Sequence, residues 1–196
     1  MPIQHRVVKT LLWSLCLVFL SCMFVQAEEK KEESAKFVGV KMCKGCHKDQ
    51  FQVWEKTKMA GSFETLKTDA AKKVSKDADK DAKCLGCHVT GLGKEGGYAI
   101  PDESKKEEVD KAKALEGVQC ENCHGAGEKY AKVMMQAMSK KASPDPKALE
   151  EAGLVMPDEK VCQKCHSKES PFFDEKKWNF EEAKKTIAHP KKKSDK

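Results

Sequence analysis

The chain has 196 residues, of which 35% are charged and only 7% aromatic, so its large apolar side chains alone make a thin core for a domain of this length. The formal charge of +6 invites a nucleic-acid reading. Arg6 is the only arginine, however, and without the side chain that grips phosphate and base edges bidentately that reading fails.

In chain order, His5, Arg6 and Lys9 precede an apolar run from Leu11 to Val25, and Val25-Gln26-Ala27 resembles a small-residue cleavage site. Residues 1–27 therefore read as an export signal. A lipoprotein cut before Cys22 and an uncleaved membrane anchor stand beside that reading, although Phe19-Leu20-Ser21 is a poor lipid-attachment sequence and the run is short for a full span. Removing the signal also removes Arg6 and Lys9, which lowers the net charge to +4 and leaves no arginine. The remaining lysines read as a solvated shell able to steer encounter with an acidic partner.

The next element is Cys43-x-x-Cys46-His47, and the same pattern returns at Cys84-x-x-Cys87-His88, Cys120-x-x-Cys123-His124 and Cys162-x-x-Cys165-His166. This spacing is the attachment signature of c-type haem: two thiols add across the porphyrin vinyl groups, and the adjacent histidine is delivered to the iron as proximal ligand. Zinc knuckles and a disulfide framework also use paired cysteines. Zinc ribbons set their pairs about 15–20 residues apart, and neither zinc nor disulfides require a histidine after every pair. Once Cys16 and Cys22 are gone, every cysteine lies inside a motif. The predicted fold is mainly helical, short helices and loops wrapped around four covalently bound haems that act as the core, within one domain over 28–190. Residues 191–196 read as a disordered basic tail.

Between motifs, the pattern predicts a helix over 48–67 carrying Phe51, Trp54, Met59, Phe63 and Leu66, with a shift of face at Ala60-Gly61. Residues 67–83 read as a solvated helix or linker with Val74 as its larger apolar anchor. Gly91, Gly93, Gly96 and Gly97 predict a tight loop around the second haem, followed by an exposed charged helix over 102–115. Short helices are expected over 131–139, from Asp145-Pro146 to Gly153, and over 180–188, the last presenting His189 before Pro190.

Four irons require up to four distal ligands, and outside the motifs the chain past residue 27 holds one histidine, His189. The other haems must use methionine, a weaker group, water or nothing. Methionine raises the reduction potential relative to a second histidine, so the haems should span a range of potentials. The candidates are Met59 and one of Met135, Met134 and Met138. Each also fits a space-filling core methionine, and His189 also fits a solvent-exposed tail residue. Met42 and Met156 read as packing.

The stretches CKGCHKDQFQVWEKTKMAGSFETLK (43–67), CLGCHVTGLGKEGGYAI (84–100), GVQCENCHGAGEKY (117–130), VCQKCHSKESPFF (161–173) and WNFEEAKKTIAHP (178–190) resemble the cytochrome c-554/c-prime family. The resemblance implies haems stacked in close pairs, bis-histidine ligation at three of them and a five-coordinate iron at the second, on Cys84, Cys87 and His88. It makes His47, His88, His124 and His166 proximal ligands and matches His189 to a distal ligand of the third haem. Met59 stands where the family has a distal histidine. The distal histidine after the third motif has no counterpart, with Met134, Met135 or Met138 nearest to it.

The expected function is periplasmic electron transfer between redox proteins, with peripheral membrane association left open. The rival is a haem enzyme acting on a small nitrogen compound such as nitric oxide or hydroxylamine at an open iron, with Ser170-Pro171-Phe172-Phe173 as a candidate lid. A haem-storage protein is the third reading, and it would not need graded sites.

Overall fold

The computed structural model describes residues 34–189; the expected export signal and basic tail lie outside them. The described chain is mainly helical, and the pairing between extended segments is the isolated antiparallel bridge of Val89 and Glu116. Every motif begins on a short helix: α1 (Val40–Cys46) carries the first thiols, and α2 (Lys48–Trp54) follows after His47. A 3-10 turn (Phe63–Lys67) leads to α3 (Asp69–Val74), α4 (Ala82–His88), α5 (Lys106–Lys113) and α6 (Cys120–His124). The chain continues through α7 (Glu128–Ser139), α8 (Pro146–Glu151), α9 (Glu159–Gln163) and α10 (Phe180–Ile187).

Helices this short are marginal by themselves, so their ends are held by side chains. Thr68, Asp81, Asp158 and Asn179 each accept a hydrogen bond from a first-turn backbone N–H, and Asp145 does the same ahead of Pro146. Gln119 and Asn122 form a capping box on α6.

Several expected elements change shape. The helix expected over 48–67 stops at Trp54, whose indole N–H donates to the Val118 carbonyl at 2.8 Å. The next turns bend so that the Met59 carbonyl accepts from Val118 N–H, and helical turns resume only at Phe63. In the segment 67–83, Val74 is 54% exposed, while the small Ala71 and Ala78 are the residues that pack inward. Close approach of backbone favours the smaller side chain there. The charged helix forms only over Lys106–Lys113, because Asp102 and Ser104 make a side-chain-supported turn before it.

Protein side chains pack most densely behind the second motif, where Phe63, Leu66, Leu85, Val89, Tyr98 and Leu115 join three alanines in one cluster. The loop after α4 folds onto this cluster: Tyr98 N–H donates to Thr90 O, and Gly93 N–H donates back to Tyr98 O. Gly97 lies against the Gly91 carbonyl so closely that a Cβ would overlap it, which explains the glycines of this loop.

Candidate haem centres

The backbone brings the four motifs together although long stretches of chain separate them. Helix α1 packs on α6, which brings Cys43 close to Cys120. Cys87 likewise lies close to Cys165, which brings the second motif to the fourth. Cys123 feels the charges of Cys162 and Cys120, and Cys165 feels that of Cys123, which places motif three beside motif four. The third motif thus meets the other three: α1 of the first packs on it, the second bonds to it through Gly117 N–H to His88 O and the Asn122 amide to Val89 O, and Cys162 of the fourth lies near Cys123.

These contacts perturb the thiols. Cys43 is pushed up by its hydrogen bond with Cys120, by burial and by the charges of Cys120 and Glu121, while the same hydrogen bond pulls Cys120 down. Its bond with Cys165 lowers Cys87 to about 7, and Cys165 is pushed up by that bond and by burial. A thiolate is the reactive form of cysteine, so one thiol of each close pair is disposed to react.

The motif histidines are oriented from behind. His88 Nδ1 lies 2.6 Å from the Ser62 carbonyl and His124 Nδ1 lies 2.9 Å from that of Val155. A carbonyl only accepts, so in each ring Nδ1 carries the proton and Nε2 keeps the lone pair needed by a metal. Burial lowers the proton affinity of His124, partly offset by the Val155 bond, and a charge on His189 would lower it further. Burial alone lowers that of His166, whose ring stacks on Trp178 with centroids 4.7 Å apart. Trp178 is held in turn by Phe173 and by an indole N–H bond to Glu159.

His189, just past α10, faces His124 with ring centroids 6.1 Å apart. Two imidazoles bonded at about 2 Å to opposite sides of one metal ion have centroids about 6 Å apart. Met59 is half-buried at the junction of motifs two and three, where its carbonyl meets Val118. On α7, Tyr130, Met134 and Met138 share one face by helical spacing, and the Met138 sulfur lies 3.9 Å from the Cys46 sulfur. Met135 projects about 100° further round and is 51% exposed.

Residues 42–125 match the family model described as cytochrome c554 and c-prime, and residues 102–191 match that of cytochrome c7 and related cytochrome c. Cytochrome c-554 of Nitrosomonas europaea is 38% identical over an alignment of 144 residues that covers 67% of this chain and 58% of the relative. The structure of reduced cytochrome c554 from the same organism superposes with a TM-score of 0.54 at 33% identity, covering 71% of this chain and 70% of that one. The chain belongs to the cytochrome c-554/c-prime family.

As a cytochrome c of this family it binds haem c, and its four Cys-x-x-Cys-His motifs account for four haems. The donor set fits the group: at the second and third motifs the thiols are followed by an imidazole whose Nδ1 is engaged by a backbone carbonyl, so that Nε2 is the nitrogen left for a metal, and large apolar side chains such as Met42 and Met138 lie exposed beside the first. The aligned stretch spans little more than half the length of the curated relative. Two site features were not legible in the sequence. Trp178, twelve residues past His166, gave no sign of stacking on it, and Glu121, an unspecified position inside the third motif, gave no sign of burial.

Proposed function

We propose that the chain is an exported electron carrier that passes single electrons between redox proteins in the periplasm. The observation behind this reading is the close approach of the motifs: Glu121 and Gln119 of the third accept from Gly39 and Val40 N–H at the entry of the first, and Gly117 N–H and the Asn122 amide of the third donate to His88 O and Val89 O of the second. Haem iron supplies reversible one-electron chemistry. The chain's part is to hold the four attachment sites together, orient the motif histidines and surround them with a lysine-rich surface suited to an acidic partner. Residues 1–27 direct export, and residues 28–190 form the tetrahaem domain.

In this reading Cys43, Cys46, Cys84, Cys87, Cys120, Cys123, Cys162 and Cys165 anchor the haems, and His47, His88, His124 and His166 are proximal ligands. His189 is the distal ligand opposite His124, supported by the 6.1 Å separation of the two rings. Met59 and a methionine of α7 serve as distal candidates for other haems. Within α7, the position of Met138 beside Cys46 favours the Met134 and Met138 face over Met135.

The intact mass of the purified exported protein should exceed the chain mass by four haem units, and a potentiometric titration should resolve several midpoints. A mass matching zinc-bound or disulfide-bonded polypeptide removes the haem reading, and one flat midpoint for all four haems favours storage over transfer.

One observation bears on the enzyme reading. His88 lines a cavity of about 230 Å³ with Thr65, Thr68, Leu66 and Phe172. The Phe172 ring, 68% exposed, comes from the segment expected as a lid. Because His88 is the expected proximal ligand, this cavity fits the space of the second haem, and gas binding at that haem in the native protein and in a Phe172 variant distinguishes carrier from enzyme.

A further inference from the structure

Glu121 lies between the two cysteines of the third motif, where a charged side chain is ordinarily solvated, yet it is 2% exposed. Its carboxylate accepts from Val38 N–H at 2.9 Å, Gly39 N–H at 2.8 Å and Gly127 N–H at 2.7 Å. Val38 and Gly39 lead directly into α1, and Gly127 leads into α7, so one side chain ties the entries of two helices to the third motif. Gln119 adds to the clasp by accepting from Val40 N–H at 2.8 Å.

These donors are neutral main-chain dipoles. They solvate the carboxylate and lower the cost of burying it, but they leave its formal charge in place. The charge acts locally: it raises the proton affinity of Cys43, after the Cys120 bond, burial and the Cys120 charge, and it acts in the same direction on Cys120 and Tyr130. Cys43 and Cys120 are anchors of the first and third haems in the four-haem reading, on which this inference rests. A buried negative charge opposes the gain of an electron nearby, because low-dielectric surroundings screen it weakly.

We propose that Glu121 is a positioning and potential-setting residue: its buried carboxylate clasps the first motif to the third and lowers the reduction potential of the haems they carry.

The test is spectroelectrochemical titration of the four-haem protein carrying Glu121→Gln, which keeps the shape and removes the charge. The reduction equilibrium of at least one haem should shift about tenfold toward the reduced form, a rise of ~59 mV for a one-electron couple. The thermal midpoint should fall, because an amide N–H₂ now faces backbone donors. Glu128→Gln is the control: Glu128 accepts from Lys36 N–H at the same junction but pairs with Lys132, and its replacement should leave every midpoint in place. Unchanged midpoints in Glu121→Gln, or an equal rise in Glu128→Gln, overturn the proposal. If Glu121→Gln fails to assemble, Glu121→Asp decides, since it keeps the charge and shortens the reach. Native midpoints with a lowered melting temperature then support the proposal, and displaced midpoints overturn it. Haem count by mass checks the four-haem reading separately.

Discussion

At the scale of single residues, His189 and His124 show how a tail residue acquires chemistry through its placement. Their rings are spaced as two axial imidazoles of one ion would be, and Val155 O holds the His124 proton on Nδ1. In the proposed reading, replacing His189 by Ala removes the distal imidazole while leaving α10 intact. Low-temperature magnetic resonance of the oxidised protein should then show one low-spin haem converted to high spin, with the remaining signals unchanged. An identical spectrum would return His189 to the role of an exposed tail histidine. Trp178 shows a different placement, since its indole stacks on His166 and so fixes the plane of that imidazole.

At the scale of elements, the glycine loop after α4 is the least tolerant segment of the fold. It returns over the Leu85, Val89 and Tyr98 cluster by reciprocal hydrogen bonds between Thr90, Gly93 and Tyr98, and it meets the N-terminal segment where Phe37 N–H donates to Glu95 O. Gly97→Ala would drive a methyl group into the Gly91 carbonyl. The backbone must move to accept it, at a cost of roughly 1–3 kcal/mol, the usual range for overpacking. Thermal denaturation should show a lowered midpoint, with the absorption of the second haem disturbed first. A loop that absorbed the methyl without loss would mean that its close approach carries no stabilisation.

At the scale of the whole molecule, the apolar cluster backs the second motif, while the first and third are clasped by the Glu121 and Gln119 hydrogen bonds and His124 meets His189 by a ring contact. The second site therefore sits on the best-packed protein core, and His88 shares a cavity with Phe172. Carbon monoxide added to the reduced carrier should leave the spectrum unchanged if this ring shields the site. In Phe172→Ala the same gas should perturb one haem in four. Perturbation of the native protein would instead revive the enzyme reading, and a shielded Phe172→Ala variant would show that another group blocks the iron.

How much was legible follows from the range of each interaction. Covalent attachment is local chemistry, so five consecutive residues specify each haem site, and the count of histidines bounds the distal ligands before any fold is known. Helix caps are also local, which is why the helix from Asp145-Pro146 and the last helix lie close to where the pattern put them. Tertiary contact decided what spacing could not: the Trp54 bond to Val118 ended a helix early, and close packing exchanged Val74 for two alanines. It also set which motifs meet and buried Glu121 between the first and the third. These outcomes depend on partners dozens of residues away, and one-dimensional periodicity carries no record of which distant backbone donor will meet a given side chain.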